Sequence, residues 1–596
     1  MYDIGGSVDI KIYKKRKGEK GMKTKMYSRF WALLLAGTML TGSLTACGDS
    51  KETNSGETSG TKKEESADED GIVELQMLSL PSNSSGVVEG WWAEEVKRQV
   101  GVSIELLPCG DQGDQKLQAL MASGELPDIV CFKDYKQVEN AVAGDMLLAY
   151  DDYKELLPDL YQNAEMSLKY AADKLSCGQG KAYTVGTDAK LFMETRGDKE
   201  PWLRYDLYKE LGSPKIKSLH DYLPVLKQMQ GLEPTNADGQ KVYGLSIWKD
   251  WDRTFMCNAM FAGKFTGVEM IEGTLVEIDY NSETPEVRSI LDEDSLYLEF
   301  IDFLYQANQM GLLDPDSMTQ RFDDAVSKMG AGRVLMGLGN WGVSDFGTRE
   351  KQEEGIGHMP VFIEDSYTVT EGLQPVGRTW TVSVSKSCKN PEAAMKFINY
   401  MFSYEGAMLQ RNGPKGVMWD VDEDGNPYVT EEGWEYMQDA EKELPEGNTF
   451  YNGCPQTWVG LNITTQNPEL NNTPIGNGFW EKKEFAPADT KLVDMWQEDY
   501  DAVDSIDYLT KNDLLKPFQF VAYPMLTDDM EQMAARIGDV VVTNSWKMAF
   551  AKDDAEYEAL KAEMIEKAEG MGINDFVEWY TDEYNKALEE ASNYLE

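Results

Sequence analysis

The sequence predicts an α/β protein in which parallel-rich sheets are flanked by helices. Two observations carry this. From residue 72 onward short strand-like runs alternate with helical runs, and the stretch from residue 47 to 596 is long enough for two large lobes or three ordinary domains. In order, residues 72–80 read as a strand, 91–100 as a helix, 102–107 as a second strand and 114–123 as a second helix. That helix ends at Gly124, and Pro127 begins a short buried strand over 126–132 whose carboxyl end delivers the loop Lys133-Asp134-Tyr135. Ligands in open α/β sheets bind at such carboxyl ends.

Ahead of this ordered part lies a different kind of sequence. Leu44-Thr45-Ala46-Cys47 follows an apolar run over 30–40 and resembles a bacterial lipobox, in which cleavage before the Cys leaves an acylated thiol as the mature N-terminus. The apolar run is too short for a spanning helix, which needs about 20 residues, and basic residues precede it as an export signal requires. Residues 1–46 are therefore expected to be a lipoprotein signal peptide, with Met22 or Met26 as alternative starts, and Cys47 the site of lipid attachment. Residues 47–70 are Ser, Thr, Gly, Lys, Glu and Asp with almost no apolar side chain. Such a segment cannot bury a core and is expected to be a flexible tether.

The net charge is −47, and residues 1–46 carry nine Lys/Arg against three Asp/Glu, so cleavage takes it to −53. A polyanion of this kind repels nucleic acid and anionic lipid headgroups, and its acidic residues are scattered rather than gathered into one cation-seeking block. Seven cysteines occur without a CxxC. Beyond Cys47 they are expected mainly as buried free thiols, because a chain of this size needs no staples. Only His220 and His358 are present, which argues against a His-rich metal site or a Ser-His-Asp triad.

A set of motifs then makes a resemblance specific. Ala122-Ser123-Gly124-Glu125-Leu126-Pro127-Asp128-Ile129 resembles the SGxLPDI element of family 1 extracellular solute-binding proteins. Its companions follow in the family's order: Pro201-Trp202-Leu203-Arg204-Tyr205-Asp206, then the helix capped at Ser218, then Val242-Tyr243-Gly244-Leu245-Ser246. After these come the run 329–337 with Trp341, the return crossing over 377–385, and Asn390-Pro391-Glu392-Ala393-Ala394, which resembles the NPExA helix start. Gly413-Pro414-Lys415-Gly416-Val417-Met418-Trp419 is similar to a run in the large oligosaccharide-binding lipoproteins of the family. The resemblance covers about 350 residues; 440–545 align only loosely. It implies a two-lobed, periplasmic-binding-protein-like fold of type II with a ligand cleft between lobes. The expected division is 71–195 plus 376–408 for the N-terminal lobe and 196–375 plus 409–596 for the C-terminal lobe.

The function implied is a lipid-anchored receptor on the extracellular face of the cytoplasmic membrane. It captures a carbohydrate by lobe closure and delivers it, as a monomer, to the permease subunits of an ABC importer. With 15 Trp and 29 Tyr the chain can offer flat apolar faces to sugar rings, with polar groups around the edge. The candidate stacking residues are Trp248, Trp251, Trp341, Trp380 and Trp419; the candidate polar contacts are Asp134 with Tyr135, Arg204, Arg378 and Arg411, and Ser82 and Asn83 on the loop after the first strand. For any single Trp, burial in the core is the competing explanation. The sugar's charge stays open, since the arginines suit a uronic acid as well as a neutral ring.

Asp420, Asp422, Asp424 and Glu431 fit the D-x-D-x-D-G-x5-E spacing of a calcium loop. Pro427 and the β-rich residues after it favour a hairpin with Asp424-Gly425-Asn426-Pro427 at its tip, so no cofactor is expected. A surface glycoside hydrolase would need two carboxylates beside a sugar cleft, which 104 Asp and Glu make uninformative. No Walker loop, HExxH or Gly-x-Ser-x-Gly supports other chemistry. Non-enzymatic rivals are an adhesin or a receptor for a non-sugar solute such as a peptide.

Overall fold

The computed structural model describes residues 71–596 apart from 83, 110–112, 191–198, 283, 373, 440, 519–523 and 595–596, with side chains left aside at 341, 371, 517 and 518. The segments expected to be a signal peptide and a tether, with Cys47 and Asn83, lie outside the described residues.

The expected alternation is present. Strand β1 (Val73–Ser79) is followed by the short β2 (Gly86–Val87), helix α1 (Trp91–Val100), β3 (Val102–Leu106), helix α2 (Gly113–Ser123), β4 (Ile129–Phe132) and helix α3 (Tyr135–Ala143). β1 pairs in parallel with β3 on one side and β4 on the other, with Met77 opposite both Leu106 and Ile129. Parallel neighbours need crossover connections, and α1 and α2 supply them. The sheet runs β2-β3-β1-β4, then the strand Thr381–Val384, then β5 (Val185–Gly186). β4 is central and buried along its whole length, which is why Ile129-Val130-Cys131-Phe132 is unbroken apolar sequence. Thr381–Val384 returns antiparallel to both neighbours. α1 ends at Gly101, whose left-handed backbone (φ +67°) lets its N–H reach the Lys97 carbonyl.

Two hydrophobic cores result. The first surrounds this sheet; the second surrounds a smaller antiparallel sheet of Met336–Gly337, Trp202–Arg204 and His358–Pro360, packed by helices that bury Tyr222, Phe300, Trp496, Trp546 and Tyr580. Among the described residues the core that the chain joins changes four times: between Ala189 and Leu203, Val369 and Val376, Trp480 and Leu492, and Tyr584 and Ala591.

The last two passages correct the expected lobe boundaries. Residues 409–480 are expected in the second lobe, yet Trp419, Val429, Trp434 and Trp480 belong to the first core. The reason lies in the helix Tyr404–Asn412, whose buried face of Gly406, Ala407, Met408 and Leu409 stays on the first lobe and keeps the following chain there. The C-terminal helix Ile573–Ala591 packs in the second core, and its end crosses back so that Tyr594 meets Tyr170 edge-on at 5.1 Å.

The acidic stretch forms the hairpin. Trp419–Val421 pairs antiparallel with Pro427–Val429. One Asp422 carboxylate oxygen accepts the backbone N–H groups of Asp424 (3.1 Å) and Asn426 (2.9 Å), and the other accepts Lys483 (2.8 Å). Asp422 is thereby committed to the turn and to a lysine, which favours protein partners over a cation. Glu431 lies in the helix Glu431–Gln438 that follows. Among the described residues no group of three or more His, Cys, Asp or Glu is placed to hold a metal ion.

Candidate functional site

Where the chain first leaves the first core, it is held in an unusual backbone arrangement. Gly186 lies so close to the return crossing that a Cβ there would sit 2.2 Å from the Val376 carbonyl oxygen. Just beyond it Asp188 (φ +50°) and Lys190 (φ +59°) are left-handed, and so is the facing Trp458 (φ +60°). Such a conformation is a real outlier for a bulky residue and costs about 1–3 kcal/mol per residue. The backbone hydrogen bonds that hold it run from Asp188 N–H to the Trp458 carbonyl (3.2 Å), from Ala189 N–H to Gly460 (3.1 Å) and from Thr187 N–H to Trp380 (2.8 Å). Strain held this firmly is characteristic of functional sites.

The side chains converge on Asp188, which is only 2% exposed. One carboxylate oxygen accepts the Arg378 Nε–H at 2.8 Å, and the other accepts a terminal N–H of Arg411. Each guanidinium in turn lies over an indole: Arg378 is 5.7 Å from the Trp380 ring centre and Arg411 is 5.7 Å from that of Trp458. The two indoles are 6.0 Å apart and inclined at 57°, and both are half-buried. The cluster thus gathers two half-buried indoles, each with a guanidinium over its ring.

A second aromatic platform is built on the other core. Trp251 is 43% exposed and stacks on Phe322 at 4.5 Å with 29° between planes. Trp248, 1% exposed, stands edge-on to both at 5.4 and 5.0 Å and forms the platform's foundation. The Asp250 carboxylate accepts the Phe322 backbone N–H at 3.0 Å, which ties the two stacked residues to one loop geometry.

Charges from the two cores also meet one another. Asp134 caps α3 by accepting the Gln137 N–H at 2.9 Å. Its side chain reaches solvent but is ringed by protein, and desolvation raises it above the ordinary carboxylate range; the negative charge of Asp114 adds to this, while Arg253 from the second core opposes it. In the first turn of α3 Lys136 pairs with Asp528 of the second core at 3.2 Å. Aromatic surfaces and charged groups of these kinds are suited to a polar solute with apolar faces.

A family model of bacterial extracellular solute-binding proteins matches residues 87–408, more than half of the chain. The chain belongs to this family. Solved structures place the fold of this solute-binding protein among similar ones. The S. pneumoniae ABC-transporter substrate-binding protein FusA, in complex with kestose, is 14% identical, with 86% of this chain and 99% of that chain covered at a TM-score of 0.57. The alginate-binding protein AlgQ2, solved without calcium ion, is 15% identical over 86% and 98% of the two chains at 0.54. The N-glycan transport solute-binding protein NgtS from Streptococcus pneumoniae is 16% identical over 87% and 99% at 0.53. At such identities the likeness is one of fold. The comparison with curated proteins finds no match. Among the described residues no helix is long and apolar enough to cross a membrane.

The sequence-predicted residues of this solute-binding protein divide. Arg378, Trp380 and Arg411 come together around Asp188, while Trp251 and Asp134 lie on the surfaces described above. Trp341 starts from Gly339 in the short 3-10 turn Asn340–Gly342; its side chain lies outside the described residues. Ser82 is buried, and its hydroxyl accepts the Ser84 N–H at 3.1 Å, a turn-forming bond.

Four of the expected residues are buried. Tyr135 packs in the first core 5.5 Å from Tyr170, because its place in the first turn of α3 points it at the sheet. Arg204 is 2% exposed, paired bidentately with Asp206 (2.9 and 2.7 Å) and with Glu233 (3.0 and 3.0 Å), so its donors serve the second core. Trp248 is the foundation of the platform rather than its face. Trp419 is buried against Trp480 at 5.8 Å, with its indole N–H given to the Gly413 carbonyl at 3.0 Å. Asp188 and Trp458 are the residues that sequence reasoning missed. Trp458 falls in the loosely aligned region, and the cue for Asp188 is only its position at the first passage between cores.

Proposed function

We propose that this solute-binding protein is a lipid-anchored receptor that captures an oligosaccharide between its lobes and delivers it to the permease subunits of an ABC importer. The observation that carries the sugar is the Asp188 cluster. Two indole faces suit the apolar C–H faces of pyranose or furanose rings, and the guanidiniums beside them suit ring hydroxyls. Trp251 and Phe322 would take a further ring on the opposite lobe, with Asp134 and Trp341 completing the cleft. The kestose, alginate and N-glycan named for FusA, AlgQ2 and NgtS support the same class. Anchoring through Cys47 after removal of residues 1–46 and a tether over 47–70 would hold the cleft at the extracellular face of the cytoplasmic membrane. The receptor works as a monomer and binds without turnover.

The test is thermal melting of the chain from Gly48 onward against 1-kestose, maltotriose, cellotriose, trigalacturonate and trialanine. A ligand at a hundred times its Kd adds about 2.7 kcal/mol, a shift of a few degrees. Stabilisation by a trisaccharide supports the reading and names the sugar chemistry. Stabilisation by trialanine alone replaces the sugar with a peptide, and release of reducing ends from a bound sugar replaces the receptor with a hydrolase.

A further inference from the structure

The loop that presents Trp251 is fastened on both sides of that residue by aspartates. On one side Asp250 accepts the Phe322 backbone N–H. On the other, Asp252 accepts the indole N–H of Trp546 at 2.6 Å on one oxygen and the backbone N–H of Cys257 at 2.9 Å on the other. Trp546 is fully buried in the long helix Asp528–Ala549, and Cys257 is the first residue of the helix Cys257–Lys264. Asp252 therefore bolts the platform loop to two rigid elements of the second core, immediately beside the exposed indole.

We propose that Asp252, as a carboxylate, is the positioning residue of the Trp251–Phe322 platform, so that acidification turns Trp251 out of its stack and weakens ligand capture. The capture half of this rests on the ligand role given to Trp251 above. The chemistry is direct. A carboxylate has acceptor capacity on both oxygens, whereas a protonated carboxyl makes one of them an O–H donor. Two N–H donors then compete for one good acceptor, and either the Trp546 or the Cys257 anchor is lost.

The surroundings place this change within an accessible pH range. Burial pushes the Asp252 carboxyl up to about 6, opposed by the donors from Trp546 and Cys257 and by the charge of Lys249. The other titratable groups around it are the Cys257 thiol on its own helix and the Tyr297 hydroxyl on the helix Leu296–Gln309, and burial holds both above their ordinary values. Asp250 and Glu272 add negative charge near Cys257, and Glu272 is itself paired with Arg253 at 2.8 Å. Among these groups Asp252 is the one whose value is placed near pH 6.

The experiment is 19F NMR of the chain labelled with 5-fluorotryptophan, with the Trp251 signal assigned by Trp251→Phe, titrated from about pH 5 to about pH 8. The Trp251 signal is expected to move with a midpoint near pH 6 and to sit at its acid position throughout in Asp252→Asn. Trp546→Phe removes one donor to the carboxylate, so the midpoint moves upward. A Trp251 signal that does not titrate, or that titrates identically in Asp252→Asn, overturns the proposal. Binding of whichever trisaccharide stabilises the wild type supplies the second readout: Asp252→Asn should bind about tenfold more weakly at pH 7.5 and lose its pH dependence. A titrating Trp251 signal with unchanged affinity in Trp251→Ala supports the positioning role and overturns the ligand role of the platform.

Discussion

Acidification should destabilise the second core through His358, by an amount that can be worked out. This residue sits opposite Arg204 in the small antiparallel sheet, 5% exposed, and its Nε2–H donates to the Val334 carbonyl at 3.2 Å. Burial, reinforced by the neighbouring Arg204 guanidinium, pushes the imidazole down from 6.5 to about 3. The unfolded chain takes up this proton near pH 6.5 and the folded chain only near pH 3. Stability owed to the neutral ring is therefore complete above about pH 7 and drains away as the pH falls toward 3. Each pH unit below 6.5 costs about 1.4 kcal/mol, so going from pH 7.5 to pH 5 removes about 2 kcal/mol. Urea unfolding of wild type and His358→Leu at these two pH values, followed by Trp fluorescence, isolates the effect because all other titrating groups are common to both. The variant should be less stable at pH 7.5 by about 1–3 kcal/mol, having left the Val334 carbonyl unpaired. Its further loss on acidification should be about 2 kcal/mol smaller than that of wild type. Equal losses in the two proteins would refute the reasoning.

Four further outcomes follow from the site and its surroundings. Asp188→Ala strands two guanidiniums in a largely buried cluster and should lower stability by about 3–5 kcal/mol, read as a lower Tm together with loss of sugar binding; an unchanged Tm would mean the arginines are solvated. Trp458→Ala should weaken the stabilising trisaccharide by about tenfold in a titration while leaving Tm nearly unchanged. Trp419→Ala should do the reverse, costing about 3–5 kcal/mol of stability with little direct effect on affinity in the folded fraction. Calcium and EDTA should leave the melting curve superimposable, since Asp422 is satisfied by its turn and Lys483; a calcium-dependent rise in Tm would favour the metal loop over the hairpin.

The part of the fold legible in sequence is the part written in local pattern. Strand, helix and turn over 72–132 are each specified by neighbours within a few residues: Gly101 for the left-handed end of α1, Gly124 and Pro127 for the step into β4, Asp424-Gly425 for the hairpin tip. The motifs from Ala122 to Ala394 were similarly readable because each lies within one short element, and their order was enough to indicate the family. The lobe boundary after residue 408 was not readable, because an apolar helix face such as Ala407-Met408-Leu409 carries no mark of which core it will meet.

The same limit separates the candidate site from its surroundings. Trp248 and Trp251 are three residues apart in one loop and equally plausible as stacking residues, yet one is 1% exposed and the other 43%. What decides between them is Phe322, some seventy positions later, closing over one and supporting the other. Asp188 finds Arg378 190 residues away and Arg411 223 residues away, and Arg204, outwardly the same kind of candidate, is claimed by Asp206 and Glu233. The sequence by itself determined the α/β alternation, the hairpin and the supply of indoles and guanidiniums, because these depend on local conformational preference and composition. Which indole faces solvent and which arginine is neutralised in a core was decided by tertiary structure alone, because burial and charge pairing are properties of contacts between segments far apart in the chain.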